Sequence, residues 1–201
     1  MSVEHRLNAD DRTDEALMTE LRGGRESALA ELVRRYQQDI FRFCLHYLKE
    51  VEAAKDMTQE TFVRVYASRQ RFDAERKFKP WVLCIARNLC LNELKRKKAV
   101  PMETLEGYAS SARDGMGGLA HYSADGPDEI LMVQERRQAL RQAIEELNDE
   151  SRELVVLRFF ERMSAKEIAE VTGSTEGAIR TRLHRLLGSM RARYAPRRGE
   201  L

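Results

Sequence analysis

The sequence predicts an all-α protein in which two small helical domains are joined by a flexible linker. Apolar residues recur at steps of three and four through most of the chain, and no segment shows sustained strand-like alternation. Residues 101–127 are rich in glycine and serine and have no period. Connections inside a compact domain are usually about 4 to 6 residues long, so this stretch indicates a linker.

Composition places the chain among soluble globular proteins. Of its 201 residues, 42% are hydrophobic and 34% are charged, which allows one ordinary core or two small ones. No apolar run could cross a bilayer and the acidic start does not resemble a secretory signal, so we expect a cytoplasmic protein without direct membrane insertion. The predicted boundaries are a disordered tail at 1–12, a first domain at 13–100, an acidic linker at 101–127, a second domain at 128–195 and a tail at 196–201.

Four helices are predicted in the first domain. Thr13 can cap the first helix and Gly23-Gly24 can end it, because a threonine hydroxyl accepts a free amide and glycine tolerates the turn after a helix. The second helix carries an apolar face from Leu29 to Tyr47. The third and fourth helices continue the pattern on either side of a polar, basic loop at 68–79.

The second domain contains the spacing of a helix-turn-helix. Ser164 and Glu167 have the form of a capping box at the start of a short helix. Ala169, Gly173 and Ile179 then supply a small residue at the helix crossing, a glycine at the turn and an apolar anchor on the second helix. Any two-helix corner can produce this spacing, so an αα-hairpin inside a core is the alternative interpretation.

Charge favours DNA binding over a core hairpin. From Ser174, which can cap the second helix, to Arg198 there are 7 basic residues against 1 acidic residue, whereas a merely solvated face usually mixes signs. The side chains predicted to project outward are Arg180, Thr181, His184 and Arg185.

A second basic region lies in the first domain. From Arg64 to Lys98 there are 11 basic residues against 3 acidic residues, and the loop cations lie beside Phe72 and Phe78. Such a mixture suits single-stranded nucleic acid, because cations pair with its phosphates while aromatic rings stack on its unstacked bases. Phe78 and Trp81 taken alone indicate core residues. The amphipathic, acidic helix at 56–66 is a separate surface that a protein partner could bind.

Catalysis and metal binding are not predicted. Cys44, Cys84 and Cys90 have no metal-ligand spacing and lie in apolar helical patterns, so we interpret them as core or near-core thiols. The histidines, none of which has an evident nucleophile or metal partner, are His5, His46, His121 and His184. No cofactor, small-molecule substrate or nucleotide-binding motif is indicated, and we expect a protein that is not an enzyme.

Three segments of the chain resemble, in order, conserved regions of bacterial RNA polymerase sigma factors of the sigma-70 family. Residues 53–62 are similar to region 2.2, residues 78–97 resemble regions 2.3 and 2.4, and residues 150–191 resemble region 4. Three motifs in the right order with a linker between them are much more specific than any one. Because only two domains are present, the resemblance is to the small extracytoplasmic-function (ECF) group.

The resemblance implies a region 2 helical bundle and a region 4 helix-turn-helix that together select promoters and start transcription. The bundle would bind the clamp coiled coil of the largest subunit of core RNA polymerase, and the residues implied are Asp56, Gln59, Glu60 and Phe62. It would also hold the minus-10 element as single strand, through Arg69, Arg71, Phe72, Arg76, Lys77, Lys79, Arg87, Asn88, Lys95 and Arg96. The residues implied for the duplex minus-35 element are Ser174, Thr175, Arg180, Thr181, His184 and Arg185.

The resemblance also bears on opening and control of the promoter. A pocket in the loop that binds an extruded base would drive melting without nucleotide hydrolysis. The acidic linker would mimic RNA in the polymerase channels, although a solubilising tether explains its composition almost as well. Many relatives are held inactive by an anti-sigma factor that wedges between the domains, and the linker would permit this partner.

Two residues depart from the family pattern. Lys55 stands where the family usually has an acid, and Asn92 stands where it often has aspartate.

The alternative function is a one-component helix-turn-helix repressor or activator with the first domain as a sensor. That alternative leaves the basic aromatic loop without a role, and no dimerisation heptad is evident.

Overall fold

The computed structural model describes residues 12–99, 143–144 and 146–194. These residues form helices joined by short turns and contain no strand, which confirms the predicted all-α class. The chain divides into two compact units, Met1–Ala112 and Arg113–Leu201. The predicted linker and the predicted tails, apart from Arg12, lie outside the described residues.

Four α-helices and a short 3-10 turn make up the described part of the first unit. They are α1 (Asp14–Arg22), α2 (Glu26–Leu48), α3 (Val51–Ser68), the turn Arg69–Arg71 and α4 (Phe78–Ala99). Helix α2 packs against the other three helices. Phe43, Val65 and Val82 are fully buried where these helices meet, and removal of such apolar surface from water is the main force that holds the bundle together.

Local signals in the sequence set the ends of α1. The Thr13 hydroxyl accepts the amide of Ala16 at 3.2 Å, as predicted for the cap. Gly24 follows the helix with φ of +92°, a conformation that suits glycine. The predicted loop after α3 is shorter than expected, because α4 already begins at Phe78. Pro80 does not prevent this, since the amide that proline lacks has no helical partner in the first turn.

The described part of the second unit ends in a helix-turn-helix. Its elements are α5 (Asp149–Val155), a π-helical turn (Val156–Phe160), α6 (Ala165–Thr172) and α7 (Glu176–Tyr194). Arg152 is buried within α5, where its guanidinium donates to the carbonyls of Ile144 at 3.2 Å and Leu147 at 2.7 Å. These bonds hold the chain that enters α5 against the helix.

The predicted turn between α6 and α7 is confirmed, with one correction at its cap. The Ser164 capping box is present, and Gly173 ends α6 with φ of +69°. The amide of Ser174 donates back to the carbonyl of Ala169 at 3.1 Å, so Ser174 still belongs to the end of α6. The Thr175 hydroxyl, rather than that of Ser174, accepts the amide of Ala178 at 3.3 Å and caps α7.

Candidate polymerase and nucleic-acid interfaces

The outward face of α3 carries the acidic residues predicted to bind polymerase. Asp56 and Gln59 are exposed and Glu60 is partly exposed. Arg64 Nε donates to the Glu60 carboxylate at 2.7 Å, so part of this acidic edge is already paired. Phe62 lies on the other side of the helix and is 7% exposed. In this structure Phe62 therefore supports α3 from the core and presents no ring to a partner.

Two apolar side chains on the same outward face were missed by the sequence interpretation. Val63 is 59% exposed and Tyr66 is 36% exposed. The Arg69 guanidinium lies 4.1 Å above the Tyr66 ring, a distance at which a cation is attracted to the ring face. Val63 follows Glu60 by three positions and Asp56 by seven, a spacing that places all three on one helical stripe. That spacing is the signal by which Val63 could have been found.

The aromatic rings beside the basic loop form a buried cluster. Phe72 is 3% exposed and Phe78 is 0% exposed. The ring centroids of Phe72 and Trp81 lie 5.0 Å apart, and those of Tyr36 and Phe78 lie 5.1 Å apart, both in edge-to-face arrangements that stabilise aromatic pairs. The expectation that the loop offers Phe72 and Phe78 for base stacking is therefore wrong for this conformation, because the cluster shields both rings.

The cations of the loop lie at its surface. Arg71, Arg76 and Lys77 are exposed, whereas Arg69 and Lys79 are partly buried. Arg76 Nε lies 3.7 Å from the Asp73 carboxylate. Exposed pairs of this kind contribute little to stability, so Arg76 can exchange its partner for a phosphate at low cost.

A groove of about 460 Å³ lies between the end of α3, the turn that follows it and the middle of α4. Its polar lining consists of Arg64, Ser68, Arg71, Asn88 and Asn92, and its apolar lining of Ala67, Ile85 and Leu89. Guanidinium groups pair with phosphates, and carboxamides both donate and accept hydrogen bonds as base edges require. The groove thus places guanidinium and carboxamide groups side by side. Arg71 and Asn88 were predicted as DNA-binding residues; Arg64, Ser68 and Asn92 were not.

The predicted basic residues of α4 differ in their surroundings. Lys95 is exposed and Arg87 is partly buried. Arg96 donates to both carboxylate oxygens of Glu93, at 2.8 and 2.7 Å, and this pairing raises the pKa of Arg96 and lowers the pKa of Glu93. Lys97 forms an ion pair with Glu50. Part of the positive charge at this helix end is therefore neutralised within the fold.

Helix α7 presents the residues predicted to read the minus-35 element. Ile179 and Leu183 face the core, and Thr175 at its start is exposed while Ser174 is partly exposed. Arg180 Nη2 lies 2.6 Å from the Glu176 carboxylate, with both side chains largely in solvent. The exposed residues on the outer surface of the helix are Arg180, Thr181, His184 and Arg185. Their outward projection is confirmed.

The cysteines belong to the core, as predicted. Cys44 and Cys90 are fully buried, and Cys84 is partly buried. A hydrogen bond with Cys44, together with burial, raises the pKa of the Cys90 thiol, which disfavours the reactive thiolate. Within residues 12–99, 143–144 and 146–194, no group of three metal-ligating side chains is gathered. No helix in the part of the chain that the structure describes is long and apolar enough to span a membrane.

Two family models match the chain in the order in which the surfaces occur. The model of Sigma-70 region 2 matches residues 32–100, and the model of Sigma-70, region 4 matches residues 137–190. The chain is 32% identical over 171 residues to the ECF RNA polymerase sigma factor SigW of Bacillus subtilis, with 83% of this chain and 88% of SigW covered. It is 30% identical over 197 residues to the ECF RNA polymerase sigma factor BldN of Streptomyces coelicolor, with 96% and 70% covered.

Solved structures share the fold. The sigma factor RpoE of Bartonella quintana, determined in complex with the anti-sigma factor NepR, has a TM-score of 0.60 at 17% identity and covers 83% of this chain and 98% of its own. CnrH, determined in complex with the cytosolic domain of CnrY, also has a TM-score of 0.60, at 21% identity, with 89% and 95% covered.

A helical bundle with an acidic helix face and a groove lined by arginine and asparagine, together with a separate helix-turn-helix unit, is the architecture of a two-domain DNA-binding transcription factor. The chain belongs to the ECF group of the sigma-70 family of bacterial RNA polymerase sigma factors. It binds core RNA polymerase and promoter DNA, recognises the minus-35 and minus-10 elements and supports promoter melting and transcription initiation. The family matches do not favour the one-component repressor.

Proposed function

We propose that the bundle binds polymerase and the opened minus-10 strand through two adjoining surfaces that share α3. The observation that carries this proposal is the position of Arg64, which bonds to Glu60 of the acidic face and also lines the groove. Polymerase binding at one surface can thereby influence the arginine that the other surface offers to DNA.

The polymerase-binding surface, in this proposal, consists of Asp56, Gln59, Glu60 and the exposed Val63. An acidic edge orients an arginine-bearing partner helix, and the exposed apolar side chain of Val63, about one turn beyond Glu60, supplies area that is removed from water on contact. The clamp coiled coil of the largest subunit is the partner that fits this chemistry. Phe62 contributes by holding α3 in place.

The minus-10 surface consists of the groove and the cations of the loop. Arg71 and Arg76 would attract the phosphate backbone, while Asn88 and Asn92 would bond to the edge of an extruded base. Extrusion costs a few kcal/mol of stacking, so binding that is available only to the extruded base favours the open promoter. Lys77, Lys79, Arg87, Lys95 and Arg96 would add backbone contacts.

The second unit would place α7 in the major groove of the minus-35 element. Arg180 and Arg185 can pair with guanine edges or phosphates, and Thr181 and His184 lie between them on the exposed face. Ser174 and Thr175 at the turn would approach the backbone. The protein would act by binding alone, without catalysing a reaction.

We assign the two domains to residues 13–100 and 128–195, with the acidic linker between them. The protein would work in the cytoplasm. An anti-sigma factor would hold it inactive by covering its DNA- and polymerase-binding surfaces, and the existence of anti-sigma complexes among proteins of this fold supports that assignment.

The polymerase-binding surface is tested by changing its acidic residues and its exposed apolar residue separately. The double variant Asp56→Ala/Glu60→Ala and the single variant Val63→Arg should each weaken binding to purified core enzyme by about tenfold or more, the loss typical of an interface hot spot. Fluorescence anisotropy of labelled protein titrated with core enzyme measures the affinity, and run-off transcription measures the consequence.

Ala30→Arg is the matched control, because Ala30 is also an exposed helical residue of the first unit but lies on α2. It should leave core affinity unchanged. Wild-type affinity of both α3 variants would remove this face from the interface.

A further inference from the structure

The loop between α3 and α4 is held at both ends by α1. Glu15 Oε1 accepts the backbone amide of Phe78, the first residue of α4, at 3.0 Å. At the other end of the loop, Arg22 Nη1 donates to the carbonyl of Phe72 at 3.4 Å. The partners lie 63 and 50 residues apart in the sequence, so only the folded bundle brings them together.

A third bond joins the same two parts of the bundle. Gln70 Nε2 donates to the carbonyl of Arg22 at 3.1 Å. The last carbonyls of a helix have no partner within it, so Gln70 satisfies one of them and ties the 3-10 turn to the end of α1. The entrance and the exit of the loop are thus both fastened to one short helix.

Glu15 is well suited to fix the start of α4. The first amides of a helix lack helical partners and carry partial positive charge, and a carboxylate at this end is stabilised by both effects. Helix α4 also carries Asn88 and Asn92 of the groove. A contact that fixes the first turn of α4 therefore acts on the loop and on the groove together.

Helix α1 is itself firmly held in the bundle. Leu17, Met18 and Leu21 are fully buried. Asp14 accepts hydrogen bonds from the Tyr36 hydroxyl and from Arg35 Nη1, the latter at 2.7 Å. Helix α1, which holds both ends of the loop, is therefore itself fixed to α2. A loop held in this way loses less conformational freedom when it binds a ligand.

The interior of the loop, at residues 73–77, forms a local turn. The amides of Glu75 and Arg76 both bond to Asp73, at 3.0 Å each, which gives a local turn. Residues 73–77 are all exposed. The position of this turn relative to the groove therefore depends on the ends that α1 holds. Helix α1 also lies outside residues 32–100, which the Sigma-70 region 2 model matches.

We propose that Glu15 is a positioning residue for promoter opening, which fixes the start of α4 and so holds residues 72–77 in the shape that receives the unpaired minus-10 strand. This inference rests on the proposed role of the loop and groove. Helix α1 would then set how readily the holoenzyme holds opened DNA, while the polymerase-binding face of α3 keeps its affinity.

Holoenzymes assembled with saturating core polymerase from full-length variants test the inference. The probe is a promoter fragment with a pre-opened minus-10 bubble. Glu15→Ala should weaken bubble binding by about tenfold, as expected when a charged hydrogen bond is removed, while affinity for core polymerase stays at the wild-type value. Glu15→Gln should recover most of the loss, because its carboxamide oxygen can accept the same Phe78 amide. Glu26→Ala, an exposed acid in the first turn of α2, is the control.

Each other outcome overturns the inference. Wild-type bubble binding by Glu15→Ala would show that the contact does not position the loop. Equally weak bubble binding by Glu15→Ala and Glu15→Gln would show that the hydrogen bond to the Phe78 amide, which glutamine can also accept, does not position the loop. A parallel fall in core affinity would show that Glu15 serves the fold as a whole.

An additional variant separates this inference from the proposed function. Asn88→Ala changes the groove itself and should also weaken bubble binding. Unchanged bubble binding by Asn88→Ala would contradict the proposed groove. Weakened binding by Asn88→Ala with wild-type binding by Glu15→Ala would contradict the positioning role and leave the groove in place.

Discussion

Glu31 joins two arginines of α2 and connects α2 to α1. Its carboxylate accepts from Arg34 Nη2 at 2.6 Å and from Arg35 Nε at 2.8 Å, and Arg35 in turn bonds to Asp14 at 2.7 Å. These hydrogen bonds lower the pKa of Glu31 from its ordinary value of 4.5 to about 2. A carboxylate with a lowered pKa stabilises the folded state at every pH above its ordinary value, and this contribution disappears as the pH falls to the lowered pKa.

Glu31→Gln should therefore destabilise the protein in a pH-dependent way. The wild type should exceed the variant in free energy of unfolding by a constant amount above about pH 5, and the difference should shrink towards zero as the pH approaches 2. Urea unfolding followed by circular dichroism between pH 3 and 7 measures it. Glu26→Gln, at an exposed site of the same helix, is the control. A pH-independent difference for Glu31→Gln would contradict the assignment.

At the scale of elements, the turn between α6 and α7 depends on one backbone conformation. Gly173 has φ of +69°, and no atom would meet an added Cβ within 4 Å. The penalty for another residue is thus backbone strain alone. The amide of Gly173 also bonds to the carbonyl of Ala169, so the same conformation closes α6 and directs the chain into α7.

Gly173→Ala should lower the free energy of unfolding of the second unit by about 1 kcal/mol, because alanine is strained in the left-handed conformation. Gly188→Ala is the matched control: Gly188 lies within α7, also with open space around it, and its replacement should raise stability by about 0.5 to 1 kcal/mol. Thermal unfolding of both variants measures these changes in stability. Equal shifts in the same direction would show that the turn does not depend on glycine.

At the scale of the whole molecule, the two units offer surfaces of different chemistry. The first unit has an acidic face and a polar groove, and the second has the basic helix α7. Substitutions in separate units with no shared partners usually have additive effects. Damage to a surface of one unit should therefore leave the steps served by the other unit intact.

Arg180→Ala/Arg185→Ala should weaken holoenzyme binding to the minus-35 duplex and leave core affinity and bubble binding unchanged. For each phosphate that the variant no longer neutralises, the slope of log affinity against log salt concentration should fall in magnitude by about 0.9. Promoter binding at several salt concentrations measures both effects. Arg42→Ala, which removes a surface cation of the first unit, is the control. An unaltered promoter profile for the double variant would contradict the assignment of α7.

The helices and their caps were predictable from the sequence because their causes are local. Thr13 and the pair Ser164 and Glu167 satisfy amides within three residues of themselves, and apolar periodicity shows which segments are amphipathic. The outward stripe of α7 follows from the same periodicity. The prediction that Ser174 caps α7 was wrong by one residue. The residue at which α6 ends depends on backbone geometry, which composition does not encode.

The all-α class, the order of the helices and the charge of each surface follow from the sequence alone, since these properties depend on neighbours along the chain. Tertiary structure decided that Phe62 and Phe72 are buried while Val63 is exposed, because burial depends on which helices pack together. It also assembled the groove from α3 and α4 and placed Glu15 at the start of α4. Such contacts join residues far apart in sequence, and only packing of the helices brings them within bonding distance.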